Sequence, residues 1–485
     1  MKKIFHFLMG TSGSLKTRTV RSSIWVSFAS LFSRSFNLIS SIILARLLLP
    51  EIFGMMGIVL FVRQGIEIFT QTSFKQALIY RKDDIARSSD TAWILNVVRG
   101  FFLFALVFVT APWISAFYNE SILSIALRFI AFLFILDGFT NINMVLFDKA
   151  LDFKKVAISR VVGSFFVNAV TLVLALILKN IWALLLGLLS RSFYNLLVSY
   201  IIQKKKPRID FNKKIAWELI HYSKYLTGAG ILLFLTTQGD DAIVGKVLGM
   251  EELGYYTYAY LIANIPATHF TNMISEVFFP SYSAISHDLK KLKKSFLSIY
   301  KFIAYVSIPV GVVIWVFSEE LVTLLLGQRW EPAVGPLQIL IVFGVVRALA
   351  ATTGPVFKAI GKPNITFWIV LVKLILIFSA LYPLTKYYGL KGAALAVTVP
   401  MILEQLYLWA VMKKVIGVSI FKIAKQLYGP VFVATMMGLI LIFTKSIFPV
   451  HDILFLGLYI LFALIIWISA AFLCDRKYFV ELLKG

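Results

Sequence analysis

The sequence predicts an all-α, polytopic membrane protein with about 14 transmembrane helices, and three observations carry that prediction. Of 485 residues, 59% are hydrophobic and only 15% charged, where a soluble domain carries about 25% charged residues. The apolar residues fall in blocks of about 20, the length that crosses a bilayer core as a helix. The cations, in turn, gather in alternate connections between those blocks. A mean hydropathy of +0.85 agrees, and disordered, coiled-coil and disulfide-scaffold chains are excluded. The single cysteine, Cys474, cannot close an internal disulfide.

Taken in order, the spans are expected at 22–45, 53–74, 91–115, 122–147, 157–178, 180–202, 222–248, 253–284, 296–318, 333–357, 364–386, 392–412, 427–444 and 453–474. The opening MKKIFHFLMG reads as a cytoplasmic tail. Its apolar stretch is short, broken by His6, and followed by no small-residue cleavage site. One set of connections, with both tails, holds 31 Lys and Arg, while the other holds only Arg46, Lys179, Lys246, Arg329, Lys386, Lys391 and Lys445. The positive-inside rule therefore places both termini in the cytoplasm. The net charge of +24 is then mostly topology, and no nucleic-acid partner is implied. No loop is long enough to fold as a catalytic domain of its own.

The basic run QKKKPRIDFNKK (203–214) divides the chain. The expected organisation is an N-lobe over 1–203, a basic cytoplasmic linker over 204–217, a C-lobe over 218–416, and two extra helices with a short tail over 417–485. An internal echo supports two lobes: ILARLLLPEIFG (43–54) overlays IVGKVLGMEELG (243–254), with Arg46 opposite Lys246. Paired repeats of this kind build two six-helix lobes around a central cavity.

Polar stripes locate the protein-facing sides of the spans, because a helix bathed in lipid has no use for one. Span one aligns Ser23, Ser27, Ser30, Arg34, Asn37 and Ser41. Span two aligns Arg63, Glu67 and Gln71, span five Arg160, Ser164, Asn168 and Thr171, and span six Arg191, Asn195 and Ser199. Span eight aligns Asn264, Thr268, Asn272 and Glu276, beside His269 and Pro266. Serine and threonine stripes are explained by helix–helix hydrogen bonds. Arginines cost roughly 2.5–3.5 kcal/mol each at a bilayer centre, so several of them call for a wet cavity.

The embedded charges differ between the lobes. Arg34, Arg63, Arg99, Arg128 and Arg191 of the first face only Glu67 and Asp137, with Arg160 left at the interface. Guanidinium groups grip phosphate or carboxylate bidentately. The expected anion-binding set is therefore Arg34, Arg63, Arg99 and Arg191 with Asn37, Asn195 and the second-lobe Arg347. In the second lobe Asp240, Asp241, Glu276 and Glu404, with His269, suit a coupling cation or a proton relay. Alternatives stand beside these readings: Arg63 and Glu67 at i, i+4 can neutralise each other, Asp240 and Asp241 can be interfacial, and Arg128 can snorkel outward. The five histidines (6, 221, 269, 287, 451) show no metal-ligand spacing. No nucleotide-binding glycine loop and no exposed catalytic pair is present either. Secondary transport remains.

Several segments carry a resemblance: LARLLLPEIFGMMGIV (44–59), RSSDTAWILNVVRG (87–100), GDDAIVGKVLGMEELGYYTYAY (239–260), LLLGQRWEPAVGPLQIL (324–340) and YGLKGAALA (388–396). Over about residues 20–475 the chain resembles the polysaccharide transporter family, the Wzx-type flippases of the multidrug/oligosaccharidyl-lipid/polysaccharide exporter superfamily. The resemblance implies alternating access and translocation of undecaprenyl-diphosphate-linked oligosaccharide repeat units for surface polysaccharide, with no enzymatic activity and no cofactor. A bacterial inner-membrane location and a monomer are expected with it. Coupling to a proton or sodium gradient or to the membrane potential is the expectation drawn from the residues themselves, since no pump motif is present. Membrane lipid and a polysaccharide polymerase with its chain-length machinery are the expected partners. Ser33-Arg34-Ser35 resembles a diphosphate-holding arginine of related flippases. A drug exporter of the same superfamily would prefer acidic cavities, and a membrane polymerase or ligase would need a large outward loop.

Overall fold

The computed structural model describes residues 15–70, 74, 78, 85–150, 153–267, 279–476 and 478–480. His269 and Glu276, with Thr268 and Asn272 of the same stripe, lie outside the described residues. Among the described residues all regular elements are helical, and ten segments are long and apolar enough to cross a membrane. The chain forms two compact units, Met1–Phe234 and Leu235–Gly485.

In the first unit, α1 (Leu15–Leu47) leads into α2 (Pro50–Phe69). Pro50 sits in the first turn of α2, where its missing N–H costs no intrahelical bond. The next two helices, α3 (Ile85–Tyr118) and α4 (Ser121–Gly138), form a tight hairpin. A Cβ at Gly100 would lie 2.6 Å from the Phe134 carbonyl oxygen, and one at Gly138 would lie 2.8 Å from that of Asn96. Only hydrogen at both positions permits this approach.

The span expected over 122–147 is shorter than its apolar pattern suggests, because α4 stops at Gly138. The chain then turns through Asn141, whose side chain accepts from the Asn143 N–H at 3.0 Å. A short α5 (Val145–Ala150) follows, then α6 (Phe153–Leu178) and α7 (Ile181–Ile202). Asparagine offers the backbone a local alternative to the helical ladder, and that ends the helix inside an apolar run.

The basic run after α7 is a strap whose backbone is fixed at several points. Asp90 Oδ1 accepts from the Arg208 N–H at 3.0 Å, and Thr91 Oγ1 accepts from the Asn212 N–H at 3.1 Å. Asn141 Nδ2 donates to the Lys205 carbonyl at 2.9 Å, and Gln203 Nε2 donates to the Asn143 carbonyl at 2.9 Å. Asp90, Thr91, Asn141, Asn143 and Gln203 are all buried. The RSSDTAW sequence at the start of α3 therefore serves this strap. From the strap rises α8 (Lys213–Leu248), which seats Ile215 and Leu219 against Ala92 and Val145.

In the second unit, Gly249 (φ 93°) joins α8 to α9 (Met250–Ala263), a conformation that glycine adopts without strain. The short α10 (Phe279–Ala284) precedes α11 (Leu289–Val316), whose first turn is capped by Asp288. Next come α12 (Ser318–Leu325), α13 (Val334–Ala350) and α14 (Thr353–Ala359). The element α15 (Asn364–Ile416) runs 53 residues, about 80 Å at 1.5 Å per residue, far beyond one bilayer core. It breaks at Gly389 (φ 58°, ψ −140°), giving the two spans expected there.

The last helices, α16 (Ile420–Ile447) and α17 (Ile453–Cys474), dock on α11. They bury Met437, Leu441, Leu456 and Tyr459 against Val316 and Phe317. Their outer faces leave Leu454 and Leu473 79% and 81% exposed, which fits contact with lipid and not with water.

Candidate functional site

The embedded arginines of the first unit fall into two groups. Arg63 donates through Nε to Glu67 Oε1 at 3.2 Å and through Nη2 to Asp137 Oδ2 at 2.7 Å. Asp137 arrives beside α2 at the end of α4, the helix held close to α3 by Gly100 and Gly138. Arg99 donates through Nη2 to the Glu67 carbonyl at 3.0 Å and through Nε to Thr70 Oγ1 at 3.1 Å. A guanidinium thus sits on the carbonyl end of α2, where the helix dipole favours a cation. Two arginines and two carboxylates balance within one neighbourhood. The i, i+4 pairing of Arg63 with Glu67 is present, and Asp137 completes it. Arg128 is elsewhere again, exposed with its guanidinium 5.1 Å from the Phe108 ring centre.

Arg34, Arg160 and Arg191 form the second group, and all three are exposed. Register across the helices places them. Asn37 Oδ1 on α1 accepts from Ser164 Oγ at 3.2 Å and from Asn168 Nδ2 at 2.6 Å on α6. Phe36 stacks on Phe165 at 5.5 Å. Arg34 on α1 and Arg160 on α6 each stand about one turn from the Asn37 node along their own helix.

On α7, Gly187 meets Thr171 of α6 and Tyr194 meets Gly163. The Tyr194 hydroxyl donates to the Ser159 carbonyl at 2.9 Å. Arg191 lies between Gly187 and Tyr194 on that stripe, level with the Asn37 node. Arg160 and Arg191 make no ion pair among the described residues. Asn195, one turn beyond Arg191, is exposed as well. Arg34, Arg160 and Arg191 are thus three exposed guanidinium groups on α1, α6 and α7, with amides and hydroxyls on the same helices, a residue set suited to a multiply charged anion.

In the second unit the acids are held more deeply. Asp240 is 4% exposed, and its Oδ2 accepts from the Tyr256 hydroxyl at 2.6 Å. Tyr256 stands seven residues past the Gly249 turn and Asp240 nine before it, so the tight turn brings them face to face. Asp241, beside it, is half-buried. Arg347 on α13 donates through Nη1 to Asn264 Oδ1 at 2.8 Å. Gly344, one turn earlier, allows this reach, since a Cβ there would lie 1.8 Å from the Ala263 carbonyl oxygen.

Glu404 and Lys373, on the two halves of α15, form a separate buried ion pair at 2.7 Å. Glu404 Oε2 lacks a directed hydrogen bond, so this contact is ionic. Among the described residues no cluster of three or more His, Cys, Asp or Glu side chains could hold a metal. Sequence reasoning placed Arg160 at the interface and passed over Tyr256. The glycine turn at Gly249, with Asp240 and Tyr256 within about two and a half helical turns on either side, was the available signal for the tyrosine.

Comparison with known proteins gives a consistent picture. The family model described as polysaccharide biosynthesis protein matches residues 43–335. An uncharacterised membrane protein in the cps region of Klebsiella pneumoniae is 25% identical, over 97% of this chain and 98% of its own length. The lipopolysaccharide biosynthesis protein WzxC of Escherichia coli K12 is 23% identical over 87% of this chain and 86% of its own length. Among solved structures, the lipid II flippase MurJ in an inward closed conformation superposes with a TM-score of 0.72 at 15% identity, covering 94% of this chain and 99% of that one. An inward-facing multidrug transporter of the MATE family gives 0.63 at 15% identity, over 85% and 98%. These last two likenesses are of fold.

Proposed function

The chain belongs to the polysaccharide biosynthesis protein family, and from that premise we propose that it is a flippase for undecaprenyl-diphosphate-linked oligosaccharide repeat units. It is a multi-pass membrane protein and a transporter, not an enzyme. The observation that supports the substrate is the division of the first-unit arginines. Arg63 and Arg99 are held by Glu67, Asp137 and the end of α2, while Arg34, Arg160 and Arg191 are exposed on the two helices that share the Asn37 node and on α7, which packs against α6. A lipid diphosphate is an anion that can be gripped by its headgroup while its tail stays in lipid.

In this reading the substrate enters from the cytoplasmic leaflet of a bacterial inner membrane and leaves to the outer leaflet by alternating access. The chain crosses fourteen times with both termini cytoplasmic. The two halves of α15 count separately, and α1, α8 and the segment begun by α9 are added to the remaining spans. Arg34 and Arg191 bracket the diphosphate with Asn37 and Asn195, and Arg160 receives it on the way in. Asp240 and Asp241, with Tyr256 and Arg347 near them, take a proton or sodium ion that resets the cycle. The finished unit passes to a polymerase and its chain-length partners.

Two results test this reading. Deleting the gene should accumulate lipid-linked repeat unit in the inner leaflet. Normal export together with sensitivity to cationic drugs would point instead to a drug exporter. Arg160→Ala should raise the half-saturating substrate concentration about tenfold, the worth of one charge-assisted contact, while the maximal rate stays near wild type. A fall in maximal rate at unchanged half-saturation would remove Arg160 from the access step.

A further inference from the structure

We propose that the basic strap and the first turns of α8, residues 204–220, form a docking surface for anionic phospholipid in the leaflet they border. The inference goes beyond the transport reading and does not depend on which substrate is carried.

Three observations carry it. The backbone of the strap is fixed to buried Asp90, Thr91, Asn141 and Gln203, so its side chains are presented in a set order and not as a loose loop. What it presents is basic: Lys204, Lys206, Arg208, Lys213 and Lys214 are all exposed. Within residues 204–220 the acids are Asp210, already paired with Arg87 at 3.3 Å, and Glu218. Between the cations stand large apolar side chains that nothing in the first unit covers. Ile209 is 90% exposed, Trp217 69%, Phe211 51% and Ile220 47%.

Water alone does not explain that composition. A solvated cytoplasmic loop gains nothing from an isoleucine and a tryptophan held outward, and each exposed apolar side chain is unfavourable there. A membrane interface explains both kinds of residue together. Trp and Phe settle at headgroup depth, and lysines and arginines collect anionic lipid. The strap begins at the last residue of an apolar spanning helix, Ile202, so headgroups are within reach of a few extended residues. The face of α8 opposite Trp217 is already occupied, with Ile215 and Leu219 in the core. Its outer face is the one left for lipid.

The test uses the full chain in nanodiscs of phosphatidylethanolamine with or without phosphatidylglycerol. A nitroxide is attached at Ile209→Cys in a Cys474→Ser background. With phosphatidylglycerol present, the label should collide more often with lipid-dissolved oxygen than with an aqueous nickel chelate. A second variant, Lys204→Gln/Lys206→Gln/Lys213→Gln/Lys214→Gln, should retain at least about tenfold less phosphatidylglycerol in native mass spectrometry, since each juxtamembrane cation contributes to that attraction. A label equally aqueous in both lipids overturns the proposal, as does unchanged lipid retention by the neutralised variant. A label that stays aqueous in nanodiscs and becomes protected only when cytosolic protein is added also overturns it, in favour of a protein partner.

Discussion

Cells carrying Arg34→Ala/Arg191→Ala should export no measurable surface polysaccharide while holding the variant in the membrane at the wild-type level. A charge-assisted hydrogen bond contributes about 1.5–3 kcal/mol, so losing two such contacts weakens headgroup binding by about 3–6 kcal/mol, roughly two to four powers of ten. Both side chains are exposed, and Arg191 makes no ion pair among the described residues. The comparison that gives the experiment its meaning is Arg63→Ala. Removing that guanidinium takes the directed partner from Glu67 and Asp137 together. Both are about a third exposed, which puts the loss near the lower end of about 1–3 kcal/mol. Arg63→Ala should therefore lower the amount of folded protein, whereas the double variant should lower transport alone. Immunoblotting of membranes beside a surface polysaccharide assay separates the two. Export that survives the double substitution would mean the diphosphate is held elsewhere.

Gly344→Ala should cost the second unit about 3 kcal/mol or more, the upper range for overpacking a tight contact. The added methyl would sit 1.8 Å from the Ala263 carbonyl oxygen, which is backbone and cannot swing aside. Helices α9 and α13 would have to part. With them would go the 2.8 Å hydrogen bond from Arg347 to Asn264 and the packing of Tyr260 on Phe343, whose ring centres are 5.5 Å apart. Gly354→Ala is the matched control, because nothing lies within 4 Å of a Cβ there. Thermal unfolding of the detergent-solubilised proteins should show a large drop for Gly344→Ala and little change for Gly354→Ala. Equal melting temperatures for Gly344→Ala and wild type would show that α9 and α13 are not in close contact.

Much of this was readable before any coordinates, and what was not has identifiable causes. The helical class and most spans follow from apolar runs, because a bilayer allows few other solutions. The stripe of Asn37 in span one and that of Ser164 and Asn168 in span five were legible, and the structure joins them. The sorting of the arginines was not. Arg63 finds Asp137 at a separation of 74 residues, and no local spacing announces such a partner. The end of α4 at Gly138 was hidden for a related reason: hydropathy continues smoothly across a corner that hydrogen bonds of Asn141 and Asn143 create. The basic strap looked like a linker because its fixation lies in the backbone, to which composition is blind.

The knot of Asn37, Ser164 and Asn168 bears directly on the proposed transport cycle. It is made of two amides and a hydroxyl, none of which gains or loses a proton at any pH a cell meets. The joint between α1 and α6 therefore keeps its geometry when the site changes the side to which it is open. In the proposed cycle protonation acts on the second unit's carboxylates, while the α1–α6 joint is built from parts that do not register it.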